Sequence, residues 1–103
     1  MIQDWHEEAS AELSEGARYY GASGGAELGD RFIDGVENAV ARALRGPEVP
    51  RDLGSGCRRY FVRHFPFAVI YRAEGDRLRI YAVMHLNRRP GYWKDRLDEP
   101  SSL

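Results

Sequence analysis

The sequence predicts an α+β fold in which an N-terminal helix hairpin packs on an antiparallel β-sheet, followed by a short C-terminal helical segment. Three observations carry this. Apolar residues between positions 9 and 43 recur at three- and four-residue steps, the helical period. Residues 57–85 change to Tyr, Phe, Val and Ile with turn-forming residues between the runs, a strand composition. Glycine-rich punctuation separates the pieces, at residues 21–25 and again at Gly46-Pro47.

A short strand is expected at residues 1–5, with Asp4 and Glu7 placed to form a capping box for the helix that follows. Ala9, Leu13, Ala17 and Tyr20 then mark one face of a first helix, and Gly21-Ala22-Ser23-Gly24-Gly25 interrupts it. The second helix carries Leu28, Phe32, Val36, Ala39, Val40 and Ala43 along its apolar stripe and stops at Gly46-Pro47. Three strands follow. They run over residues 57–63, 67–72 and 77–85, joined at Phe65-Pro66 and at the Glu74-Gly75-Asp76 loop. Strand alternation in the last places Leu78, Ile80, Ala82 and Met84 toward the helices and Arg79, Tyr81, Val83 and His85 on an open face. Leu13, Phe32, Val36, Ile70, Ile80 and Ala82 are expected in the buried set.

At 103 residues the chain suits one domain, read as residues 1–97 with a tail at 98–103. The hydrophobic content of 43%, with six Tyr, four Phe and two Trp, is enough for a folded core and argues against disorder. A lone cysteine, Cys57, rules out an internal disulfide, and no apolar run is long enough to span a bilayer. The basic-then-apolar pattern of a secretory leader is also missing from the first residues. The expectation is a cytoplasmic protein without a membrane partner.

The formal charge of -1 conceals a polarity. Residues 1–50 hold four Arg against ten acids, whereas residues 51–97 hold eleven Arg or Lys against four acids. In that second half Arg outnumbers Lys ten to one, a bias suited to bidentate contacts with an anionic partner. Arg88, Arg89, Lys94 and Arg96 are expected to cluster near His85 with Trp93 among them, as a target-binding surface, although Trp93 also reads as packing that pins the C-terminal turn to the sheet. No metal or cofactor is expected. His6, His64 and His85 are scattered, Cys57 has no neighbour at ligand spacing, and Gly54-Ser55-Gly56 lacks the lysine of a phosphate loop. Tyr19 and Tyr20 read as packing or partner-groove residues.

Four ordered segments resemble the RelE/ParE superfamily of toxins from type II toxin-antitoxin systems. They are Trp5-His6-Glu7-Glu8-Ala9 with Glu12-Leu13 and Tyr19-Tyr20; Arg58-Arg59; Phe65-Pro66-Phe67 through Ile70-Tyr71; and Val83-Met84-His85 with Arg88-Arg89-Pro90-Gly91-Tyr92-Trp93 and Arg96. The Phe-Pro-Phe and His-x-x-Arg-Arg-Pro-Gly-Tyr-Trp pieces are closer to the ParE-like, or plasmid-stabilisation, branch. The resemblance implies a growth-inhibiting toxin neutralised by a cognate antitoxin, occurring as a homodimer or as a heterotetramer with that antitoxin. It also implies one of two targets. ParE-like members inhibit DNA gyrase by binding, whereas RelE-like members are metal-independent endoribonucleases that cleave messenger RNA in the ribosomal A site.

Cleavage would need a proton acceptor, a proton donor and cations around the phosphate. His85, Arg59 and Tyr92 are the candidates for those roles, with Arg89 and Lys94 in support. Against this, Ala68 stands where RelE-like nucleases carry an arginine. The expectation is therefore a gyrase inhibitor that is not an enzyme, with the ribosome-dependent nuclease as the alternative.

Overall fold

The computed structural model describes residues 1–99. Its elements are β1 (Ile2–Trp5), α1 (Glu7–Gly24), α2 (Ala26–Arg45), β2 (Cys57–Val62), β3 (Phe67–Glu74), β4 (Arg77–His85) and a 3-10 segment (Lys94–Asp98). The sheet order is β1-β4-β3-β2. β2, β3 and β4 form an antiparallel meander, and β1 joins the β4 edge in parallel. Residues 100–103, most of the expected tail, lie outside the described residues, whereas Asp98 closes the 3-10 segment and Glu99 reaches back to His6.

The cap of α1 is His6, not Asp4. The His6 Nδ1 accepts the Glu8 N–H at 3.0 Å, while Asp4 stays in the strand and takes Arg79 Nη1 at 2.7 Å. Glu7 and Glu8 in the first turn favour the positive end of the helix dipole. The expected glycine interruption shrinks to a single hinge. α1 runs through Gly21 to Gly24, and only Gly25, at φ 93°, leaves helical space before α2 begins. The two helices touch closely because Gly29 would otherwise press a Cβ within 2.9 Å of the Ala17 carbonyl oxygen.

Two apolar layers sandwich the sheet. Between helices and sheet lie Phe32, Val36, Ala39, Val40 and Ala43 of α2 against Val62, Phe67, Val69, Tyr71, Leu78, Ile80 and Val83. Tyr20, Phe32, Phe65 and Phe67 pack there edge-on or tilted, with centroids 4.8 to 6.3 Å apart. On the other face Cys57, Ala68, Ile70, Ala82 and Met84 lie against Trp93, flanked by Leu53, Tyr92 and Leu97. Of the six residues expected inside, Phe32, Val36, Ile70, Ile80 and Ala82 are fully buried and Leu13 is partly so.

The predicted faces of β4 need correcting. Ile70 pairs with Ala82 but Tyr71 pairs with Ile80, so Tyr81 is an extra residue in the ladder. Such a bulge exchanges the two faces beyond it. Leu78 and Ile80 meet the helices as expected, but Val83 takes over that face while Ala82 and Met84 turn to the other. The face expected to be open is also covered over much of its area by the segment around Trp93.

Candidate target-binding face

Glu12, on α1, organises the C-terminal segment. Its carboxylate accepts the Val83 N–H at 3.0 Å, the Tyr92 hydroxyl at 2.8 Å and two Arg96 nitrogens at 2.9 and 3.0 Å. Arg96 also donates to the Tyr81 carbonyl at 2.8 Å and lies 3.3 Å from Glu8. Burial opposes the Arg96 charge, but the Glu12 hydrogen bond and charge more than offset it and leave the pKa raised. Burial, then the hydrogen bond to Glu12 and its charge, push the Tyr92 phenol above its ordinary range. Arg88 lies 3.9 Å over the Tyr92 ring, with Arg96 at 5.1 Å from the same ring.

The expected target-binding residues therefore divide. Arg88, Arg89 and Lys94 are exposed, whereas Trp93 and Arg96 are buried and turn their side chains inward. Trp93 closes the second apolar layer, and Arg96 ties the segment to α1. Sequence reading missed the part played by Glu12. It stands among the residues that carry the family resemblance, but an acid on an amphipathic helix ordinarily reads as solvated, and its partners are 71 to 84 positions away.

The expected nuclease residues are not brought together. Cross-strand partners share a face of a sheet. Arg59 pairs with Ile70 and so belongs to the face of Cys57, Ala68 and Ile70. His85 pairs with Phe67, which belongs with Val83 to the helix side. His85 packs edge-on against the Phe67 ring at 4.9 Å, and its Nδ1 accepts the Asn87 N–H at 3.0 Å. It lines a cleft of about 260 Å³ with Glu12, Glu15, Tyr19, Tyr20 and Arg88. Arg59, on the opposite face, stacks 5.0 Å over Phe61.

Three potential metal ligands, His6, Glu8 and Glu99, lie within 4.8 Å of one another. Their hydrogen bonds favour a different arrangement. Because His6 Nδ1 accepts the Glu8 N–H, Nε2 carries the ring proton and donates to Glu99 at 2.5 Å. A metal at Nε2 would require an imidazolate. Cys57 is buried, and burial pushes its thiol pKa up.

A helix hairpin on a four-stranded sheet, with its C-terminal segment pinned to the first helix and an arginine-rich rim, defines a small α+β domain. The family model described as "ParE toxin of type II toxin-antitoxin system, parDE" matches residues 4–90, and the chain belongs to that family. Among solved structures, a chain titled "Chromosomal ParDE TA system from P. aeruginosa" shares the fold, with a TM-score of 0.67 at 18% identity. The similarity covers 84% of this chain and 97% of that one. The comparison with curated proteins gives no match. Among the described residues no helix is long and apolar enough to cross a membrane.

Proposed function

We propose that this ParE-family toxin arrests growth in the cytoplasm by binding DNA gyrase, without bond-making chemistry of its own, and that a cognate ParD-type antitoxin neutralises it. The observation that carries this reading is the separation of the groups an RNA-cleaving site would have to combine. Arg59 and His85 occupy opposite faces of the sheet. The Tyr92 hydroxyl is committed to Glu12. Ala68, at the place where a nuclease of this superfamily carries an arginine, is a fully buried methyl. What reaches solvent instead is a set of cations, Arg88, Arg89 and Lys94, on a segment held in place by Glu12, Trp93 and Arg96. Pre-organised cations of this kind suit recognition of an acidic protein surface.

The test is a pair of assays on the purified chain: inhibition of gyrase supercoiling, and cleavage of ribosome-bound message. Inhibition of supercoiling is expected, with Arg88→Ala/Arg89→Ala weakening it and His85→Gln leaving it unchanged. Message cleavage that disappears in His85→Gln, with gyrase unaffected, would overturn the proposal.

A further inference from the structure

Phe61 and Leu86 are half exposed, at 50% and 44%, whereas the large apolar side chains of β3 and β4 are buried. Phe61 belongs to the sheet face turned away from the helices, and Leu86 opens the turn just past β4. Phe61 pairs with Ala68 and Ala68 with Met84, across three strands of that face. One further bond follows β4, where Leu86 N–H donates to the Pro66 carbonyl at 2.9 Å and keeps Leu86 at this end of the sheet. The C-terminal segment covers the Cys57, Ile70 and Ala82 part of this face through Trp93. It leaves Phe61 and Leu86 uncovered.

The surroundings are cationic. Between Cys57 and Lys94 the only acids are Glu74 and Asp76, both in the β3–β4 hairpin at the other end of the sheet. Arg59 is held 5.0 Å over the Phe61 ring, and Arg88, Arg89 and Lys94 follow Leu86 in the chain, all exposed. Apolar prongs inside an arginine rim are the composition of a protein-binding hot spot. An aliphatic prong such as Leu86 gains nothing from phosphate or base stacking, which favours a protein over a nucleic acid. The cations that stay exposed beside the two prongs favour acids on the partner.

We infer that the uncovered end of this sheet face, centred on Phe61 and Leu86 and flanked by Arg59, is the surface that seats the toxin's protein target, an acidic patch surrounding an apolar pocket. The inference rests on the reading of the chain as a toxin that acts by binding. Arg59, already stacked on Phe61, reaches the partner with little conformational freedom left to lose.

The experiment compares Phe61→Ser/Leu86→Ser, Leu86→Ser alone and Arg59→Glu with the wild type and with Val49→Ser, which changes an exposed apolar residue in the loop after α2. Growth arrest on induction, affinity for purified gyrase subunits, affinity for duplex DNA and affinity for the antitoxin encoded beside the toxin are measured, with thermal melting as the check on folding. The face variants should lose growth arrest and bind gyrase at least about tenfold more weakly. Their melting and antitoxin affinity should stay near wild type, as should every property of Val49→Ser. Should Phe61→Ser unfold the chain, Leu86→Ser and Arg59→Glu carry the test. Wild-type toxicity in correctly folded face variants overturns the inference. So does a loss confined to antitoxin or DNA binding, and so does a wild-type chain that neither arrests growth nor binds gyrase. If the wild type arrests growth without binding gyrase, the gyrase reading fails while the face is still judged: arrest lost in the variants supports it, and arrest retained overturns it.

Discussion

At the scale of single residues, Glu12 matters most, because one carboxylate accepts four hydrogen bonds from β4 and the C-terminal segment. Removing one partner of a buried ion pair leaves the other charge desolvated. Glu12→Ala is therefore expected to cost about 3–5 kcal/mol in urea unfolding, since the Arg96 side chain is only 8% exposed. Glu8→Ala, at the exposed end of the same cluster, should cost no more than about 1 kcal/mol. Equal effects from the two would show that Glu12 does not hold the segment. Tyr71 makes a second prediction. Its hydroxyl donates to the Pro47 carbonyl at 2.8 Å, and burial, reinforced by Tyr60, pushes its pKa up from 10.0 to about 12. The folded state thus keeps a proton that the unfolded chain releases, so stability is fully present below pH 10 and falls as pH rises toward 12. Melting followed across that window should show the decline, and Tyr71→Phe should flatten it. An unchanged slope in the variant would assign the decline to other groups.

At the scale of elements, the helix hairpin depends on where its glycines lie. Gly29 faces the α1 backbone, and a Cβ there would come within 2.9 Å of the Ala17 carbonyl oxygen, whereas a Cβ on Gly21 meets nothing within 4 Å. Gly29→Ala should force the helices apart at a cost of roughly 1–3 kcal/mol. Gly21→Ala should stabilise α1 by about 0.5–1 kcal/mol, because it removes backbone freedom from the unfolded chain without a clash. Thermal melting of the two variants should therefore move in opposite directions. Both helices and all three meander strands were legible in the sequence, since periods of 3.6 and 2 are local properties. The bulge at Tyr81 was not. Nothing in Arg79-Ile80-Tyr81-Ala82 marks an extra residue, because the register shift is set by pairing with Ile70 and Tyr71 on β3.

For the whole molecule, the charge polarity read from the sequence becomes a division of surfaces. The acids Glu8 and Glu12 of α1 are partly consumed in holding Arg96, while Arg88, Arg89 and Lys94 stay free to meet solvent. Association with purified gyrase subunits should accordingly be steered by charge, slowing by roughly tenfold or more between 50 and 500 mM salt while dissociation changes less. A salt-independent association rate would leave the exposed cations without a role in target capture.

The sequence by itself determined the α+β class, the helix hairpin, the meander, the basic second half and the toxin family, because composition, periodicity and ordered short motifs are written along the chain. Only the tertiary structure decided how those parts divide the chemistry. A single bulged residue turned Val83 and His85 toward the helices and Met84 away from them, and so set His85 on the opposite face from Arg59. The fates of Arg96 and Trp93 were decided in the same way. Arg96 reads as an exposed cation until Glu12, 84 positions away, buries it, whereas the packing of Trp93 on the sheet was one of its two readings in the sequence and the strands beneath it chose between them. The physical reason is that burial and register are properties of pairs of segments, so residue type and local spacing cannot encode them alone.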